Sequence, residues 1–369
     1  MAGTSVPRGE VPVLTAPALP GADPLGASLP EPGRGHALLG AIPALLLACS
    51  ATPSGPPPLG RITFVAENGG VLETWVLVLP DGAAQPLAGR GHFPAAVDPS
   101  GSDALLVASN EFAGARQEQL WLQPFAGGPP RALGAAAEFV RNPSWAADGQ
   151  SVIFESSTLS FRDLYRAPRA GGDAVRLTDA AGGSFDPAVS PDGATVAYAS
   201  GRDGDLELYV QALTGGVVHR VTSAPGEDRR PAYRPDGARV AWLATRDGRA
   251  RVWTMAADGS DALALADDPR PIEHLDLAWS PDGTRIALIE QASPTELNLV
   301  VVDAVRRREV SRLTGGLNEH PAWSPDGQWL VFSSTRTGDR DLWLVRPDGT
   351  GLRQLTDREG ADWLPRWGR

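Results

Sequence analysis

Eight residues, H-P-A-W-S-P-D-G at positions 320–327, recur along this chain at a nearly fixed interval. N-P-S-W-A-A-D-G (142–149), D-P-A-V-S-P-D-G (186–193), R-P-A-Y-R-P-D-G (230–237) and D-L-A-W-S-P-D-G (276–283) are its copies, with a weaker F-P-A-A-V-D-P-S-G at 93–101 and a truncated L-P-R-W-G at 364–368. The proline position, held by Leu277 in one copy, steps through 94, 143, 187, 231, 277, 321 and 365, so the spacings are 49, 44, 44, 46, 44 and 44. A period of that size marks a solenoid, a propeller or an array, in which each repeat is one supersecondary unit that must stack on its neighbours to bury its apolar faces.

The repeat contains its own turn chemistry. In Ser324-Pro325-Asp326-Gly327 the proline presets φ, the aspartate bonds back to the local backbone, and the glycine takes the positive-φ position. Apolar, β-branched and aromatic stretches follow at 329–333 and 342–345, with an edge strand expected at 352–356 and a short first strand at 321–324. Four antiparallel strands per ~44 residues is the size of one propeller blade. The fold expected is therefore an all-β propeller of four-stranded antiparallel blades. The Trp, Tyr or Val of the first strand (Trp145, Val189, Tyr233, Trp279, Trp323, Trp367) is assigned to packing between blades.

The ends predict closure. Residues 61–66, 73–79 and 85–88 match strands two, three and four with no first strand before them, and 364–367 is a first strand with nothing after it. Together they complete one blade and leave no free sheet edge. Six intervals plus this composite favour seven blades, with six as the alternative if the degenerate copy at 93–101 is merged.

The propeller is expected over 61–369, behind two other segments. Residues 1–33 are rich in Pro, Ala and Gly without any period, and read as disordered. Arg34, the apolar run 37–48 and Cys49, the only cysteine, form a secretory-signal pattern too short to span a bilayer. Leu46-Leu47-Ala48-Cys49 resembles the lipobox of bacterial lipoproteins, which implies a signal over 1–48, a lipid on Cys49 and a translation start nearer Arg34. Residues 49–60 then read as a Pro-rich tether.

A net charge of −11 and a pI near 5 provide no basic face for nucleic acid. A single cysteine excludes an intrachain disulfide and a thiolate zinc site.

The pattern P-x-W-S-P-D-G, followed by R-D-G-D-x-x-L-Y and R-x-T, resembles the TolB-type propeller repeat, within the wider class of WD-type repeats, over roughly 61–369. The resemblance implies the fold. TolB itself joins an N-terminal α/β domain to six blades, whereas about a dozen tether residues precede the first strand here. Prolyl oligopeptidase-like enzymes share the repeat but also need a hydrolase domain with a G-x-S-x-G elbow, a motif this sequence lacks.

Turns and inter-blade packing account for most of the repeated motif. The position before the proline varies: Phe93, Asn142, Asp186, Arg230, Asp276, His320 and Leu364. Loops on a rigid scaffold carry function, so the segments entering the first strands are the candidate binding ring at the channel mouth. Its polar members are His92, Arg141, Asn142, Asp186, Arg230, His274, Asp276, His320 and Asp362. No catalytic residue, metal site or cofactor is assigned. The turns at 202–205, 246–249 and 337–341 carry acids that suggest calcium, but turn chemistry suffices for them. The function expected is a monomeric, lipid-anchored, non-catalytic module of the cell envelope that binds a protein or peptide or acts as a scaffold. The alternative is a carbohydrate-active lyase or hydrolase working at the channel mouth.

Overall fold

The computed structural model describes residues 57–368 apart from Asp81, Arg90, 113–114, 158–161, 267–269 and Pro271, so the apolar run, Cys49 and most of the expected tether lie outside the described residues. Strands β1 to β28 form seven four-stranded antiparallel sheets, and no helix occurs among the described residues. The protein is a seven-bladed β-propeller, its blades numbered 1 to 7 in chain order from the one that begins at Gly60.

Blade 7 shows the plan, running outward as β24 (Asn318–Trp323), β25 (Leu330–Ser334), β26 (Asp341–Val345) and β27 (Arg353–Gln354). The turn after β24 is held as the sequence suggests. Ser324 Oγ donates to Asp326 at 2.5 Å, the backbone N–H of Gln328 donates to the same carboxylate at 3.0 Å, and Gly327 sits at φ 68°. Ser190–Asp192 and Ser280–Asp282 repeat the first bond at 2.5 Å each.

Outer strands are shorter than expected: β27 has two residues rather than five. The Thr356 hydroxyl accepts the Leu342 N–H at 3.0 Å, replacing the next ladder bond with a side-chain bond. Thr178 and Thr222 do the same for Leu164 and Leu208 at 2.9 and 2.8 Å. This is the use of the R-x-T motif, and it keeps the exposed edge short.

Packing occurs between blades. Ile62 and Phe64 of blade 1 join Val331, Leu342 and Leu344 of blade 7 in one buried cluster. Val240 and Trp242 of blade 5 join Ala199 and Leu208 of blade 4 in another. Burying one such large apolar side chain contributes about 1.5–3 kcal/mol. The first-strand aromatics lie at these seams, and the polar atoms of two of them bridge neighbouring inner strands. Trp279 Nε1 donates to Ala232 O at 3.1 Å, and Trp323 Nε1 to Ala278 O at 3.0 Å.

Closure occurs as expected. β28 (Asp362–Gly368) pairs antiparallel with β1 (Gly60–Asn68), which continues to β2 (Val71–Leu79) and β3 (Gln85–Ala88). Trp367 Nε1 reaches Leu59 O at 3.1 Å. Gly60, at φ 117°, has no room for a side chain: a Cβ there would stand 2.3 Å from the Gly368 carbonyl oxygen.

The first strands differ from expectation at one point. β24 begins at Asn318, so His320 lies inside the strand rather than in a loop. The innermost strand is a sheet edge, and there a proline without an N–H costs no ladder bond. The strand bulges instead. Between Glu319 and Ala322 two residues oppose one on β25, and the same shift recurs at Asn142, Asp186, Arg230 and Leu364 with their prolines, while the two remaining first strands shift at Ala95 and Leu275 instead.

Candidate functional site

The bulge positions the candidate ring. Asn142, Asp186, Arg230, His320 and Leu364 all have φ between 47° and 56°, each directly before a proline. Proline ordinarily pushes its predecessor to extended backbone, and β-carbon sterics disfavour the left-handed region for all five. Five repeats of the same strained geometry place five side chains on the wall of an axial cavity. Phe93 and Asp276 line it too, so every blade contributes its variable residue. The cavity has a volume of about 980 Å³.

Six of the nine polar candidates line this cavity: Arg141, Asn142, Asp186, Arg230, Asp276 and His320. The other three do not. His92 bonds through Nδ1 to Gly89 O at 3.1 Å, and its ring meets Trp121 edge-on. His274 is buried, and its Nδ1 accepts the Val252 N–H at 3.0 Å, the task that the strand-four threonines perform in other blades. Asp362 is fully buried behind the wall, where Arg358 donates to Oδ1 at 2.9 Å. Burial pushes this carboxyl up to about 6. Spacing from the proline failed to distinguish these three because position along the strand does not say which side of it a residue faces: Arg141, two residues before its proline like His92, does line the cavity.

The wall has two arcs. On blades 2 to 4 the polar groups satisfy one another. Buried Glu155 accepts Asn142 Nδ2 at 2.6 Å and the Asp186 N–H at 2.7 Å, and Arg162 reaches it at 3.2 Å. Burial raises the Glu155 carboxyl above its usual range. Asn142 Nδ2 also donates to Asp186 at 3.0 Å, and Arg141 is paired with Glu118.

On the arc from blade 5 round to blade 1, pairing is sparser. Arg230 donates to Leu275 O at 2.9 Å and stands 3.8 Å from Asp276. His320 Nδ1 is buried without a hydrogen-bond partner among the described residues. Burial, with help from Arg366, pushes this imidazole down to about 4, so it is neutral at pH 7. Glu319 lines the cavity as well, and so does Arg366, which sequence reasoning left off the ring. A signal for Arg366 existed in the sequence: every other first strand has Ala or Ser at its position.

The turns with a calcium-like look are occupied by their own side chains. Asp203 accepts the Tyr209 hydroxyl at 2.6 Å, and the Arg202 and Arg336 guanidiniums lie 4.6 and 4.9 Å over Tyr209 and Trp343. No cluster of three or more His, Cys, Asp or Glu with metal-holding geometry occurs among the described residues.

A family model described as the TolB beta propeller domain matches residues 178–270 and 258–369. The chain belongs to the TolB beta-propeller family. A protein TolB homolog from Chlorobium luteolum is 35% identical over 88 residues, covering 24% of this chain and 20% of that relative. The matched stretch spans 30% or less of the length of such curated relatives. TolB from Acinetobacter baumannii superposes with a TM-score of 0.56 at 20% identity, covering 84% of this chain and 66% of the other. An oligogalacturonate lyase from Vibrio parahaemolyticus does so at 0.59 and 15% identity, covering 82% and 86%. At these identities the TolB-family propeller shares with both structures a fold and nothing finer.

Proposed function

We propose that this TolB-family propeller is a non-catalytic, monomeric module of the bacterial cell envelope. It is tethered to a membrane through Cys49 and binds a protein or peptide partner at its channel. The observation that carries the reading is the cavity itself, to which every blade brings the one repeat position not used for turn or seam. A rigid ring with a variable inner wall suits recognition, since binding groups gain from preorganisation. The family supports an envelope role, one relative being a Tol-Pal system protein TolB. Cys49, at the end of a short apolar run, supports the anchor.

Crosslinking in envelope fractions tests this, with the wild-type chain expected to recover a specific partner that Asp186→Arg loses. Failure to recover any partner counts against the reading. Labelling with a lipid precursor tests the anchor, with Cys49→Ser expected to remove both the label and the membrane association.

A second reading, a carbohydrate lyase or hydrolase, draws on His320, a neutral imidazole beside Arg366 in the channel. Turnover of an envelope polysaccharide, abolished by His320→Ala, would establish it in place of the first.

A further inference from the structure

Position by position, six inner strands place alanine or serine directly after the proline position, at 95, 144, 188, 232, 278 and 322. Small residues there keep the channel open. The seventh strand, β28, places Arg366 at this position, so one long cationic side chain enters a ring of small ones. Its Nε donates to Ala95 O at 2.9 Å, across the seam to blade 2, which fixes the plane of the guanidinium. Nη1 reaches only Pro365 O at 3.4 Å, and Nη2 has no partner among the described residues.

No carboxylate lies within ion-pairing distance of Arg366 among the described residues. Glu319 is held by Arg340 at 2.9 Å. Asp276 lies 3.8 Å from Arg230 and attracts Arg366 from beyond ion-pairing distance, while the like charge of Arg230 repels Arg366. His320 is neutral at pH 7 and adds no charge. Arg230 and Arg366 both face Asp276 on this arc, and Asp186 accepts the Arg230 backbone N–H at 3.2 Å at its boundary, so Arg366 is the cavity guanidinium that has no carboxylate of its own within ion-pairing distance among the described residues. An enclosed charge without a partner is costly, and a bound anion would remove that cost. A planar fork with free N–H groups matches a carboxylate in two parallel hydrogen bonds.

We infer that Arg366 anchors a carboxylate subsite in the channel, which takes a single carboxyl group of a peptide segment entering the cavity. The inference rests on the partner-binding reading above and specifies its ligand chemistry. The surroundings favour a peptide over a polyuronate. Phe93, Leu277, Ile289 and Leu364 line the same cavity and suit apolar neighbours of one acidic residue. A polyuronate carries a carboxylate on every ring and needs a row of cations, whereas the cavity offers one guanidinium without an ion pair, and Asp186, Asp276 and Glu319 on the same wall would repel further carboxylates.

The test uses the full chain and four probes. The first is a nonapeptide of glycine and serine with a central Leu-Asp-Leu, blocked at both ends. The second has Asn in place of Asp. The third keeps the Asn but ends in a free carboxylate. The fourth is trigalacturonate. Affinity is read by titration while the arginine Nε resonances are followed by NMR.

The Asp peptide is expected to bind about ten-fold or more tightly than its Asn counterpart, and Arg366→Ala should abolish that preference. Arg366→Lys keeps the charge but loses the fork and should retain only part of it, and it decides the matter if the alanine variant does not fold. Arg131→Ala, on the outer face, should change nothing. Preference for the third probe over the second would assign the subsite to a chain terminus rather than a side chain. Equal binding of the acidic and neutral peptides, or a preference that survives both Arg366 variants, overturns the inference. So does binding of trigalacturonate alone, or of no probe. A partner crosslinked equally by wild type and Arg366→Ala would leave the partner reading standing while the subsite falls.

Discussion

The two arcs of the channel wall are built by the same repeat on the same bulged strand, yet they use their polar residues in opposite ways. On the blade 2–4 arc, Glu155 gathers Asn142, the Asp186 backbone and Arg162 into a closed network. On the other arc, Arg366 and His320 have polar atoms with nothing to bond. The first is what a wall needs to hold its shape, since buried polar groups must be satisfied. The second is stable only at some cost, and such costs concentrate where ligands bind. A variable position in a repeat is therefore not automatically a site; what matters is whether its hydrogen bonds end within the protein.

Mutation can break this contrast most sharply at Glu155. Glu155→Ala leaves buried donors unpaired and should cost about 3 kcal/mol in urea unfolding. Arg366→Ala, by comparison, removes one good and one long hydrogen bond, at 2.9 and 3.4 Å, together with one charge lacking an ion pair, and should change stability by less than about 1 kcal/mol. Similar losses from both would erase the distinction between the arcs.

Acid provides the next test. The His320 pKa, about 4 in the fold against an ordinary 6.5, means the unfolded chain takes up the proton first. Its contribution is complete above about pH 6.5 and is lost as pH falls toward 4, on the order of 3 kcal/mol. Asp362, raised to about 6, works in the other direction and favours the fold as pH falls from 6 toward 3.8. The two offset each other in the wild type. His320→Asn should therefore be more stable at pH 4.5 than at pH 7, and Asp362→Asn should lose stability over the same interval more steeply than wild type. Chemical denaturation at the two pH values decides between these slopes.

Smaller effects follow at the strained residues. Asn142→Ala loses two hydrogen bonds and a residue that tolerates the left-handed region, and should cost about 1–2 kcal/mol. Arg230→Asn on the other arc introduces a residue that tolerates the left-handed region and loses only exposed contacts, so a change within about 0.5 kcal/mol is expected by thermal melting.

The fold could be read from the sequence to the level of blade number and closure. Ser-Pro-Asp-Gly specifies its turn by local chemistry alone, and the incomplete first and last repeats fit only each other. The site was less legible. A residue before proline reads as extended, so nothing local announced the left-handed bulge that turns His320 and Arg230 inward. His274 looked like a ring residue by its distance from Leu277, but its imidazole substitutes for a threonine hydroxyl behind the wall. Arg366 was visible only by contrast with the six small residues at its position, a comparison across repeats rather than along the chain.

Because Arg366 and Leu364 lie on the strand that closes the ring, the channel wall is complete only when β28 has joined β1. An open or half-zipped ring lacks the anchor as well as the seam. Ligand affinity at this position therefore doubles as a report on closure, and a partner that grips Arg366 would hold the two ends of the propeller together like a clasp.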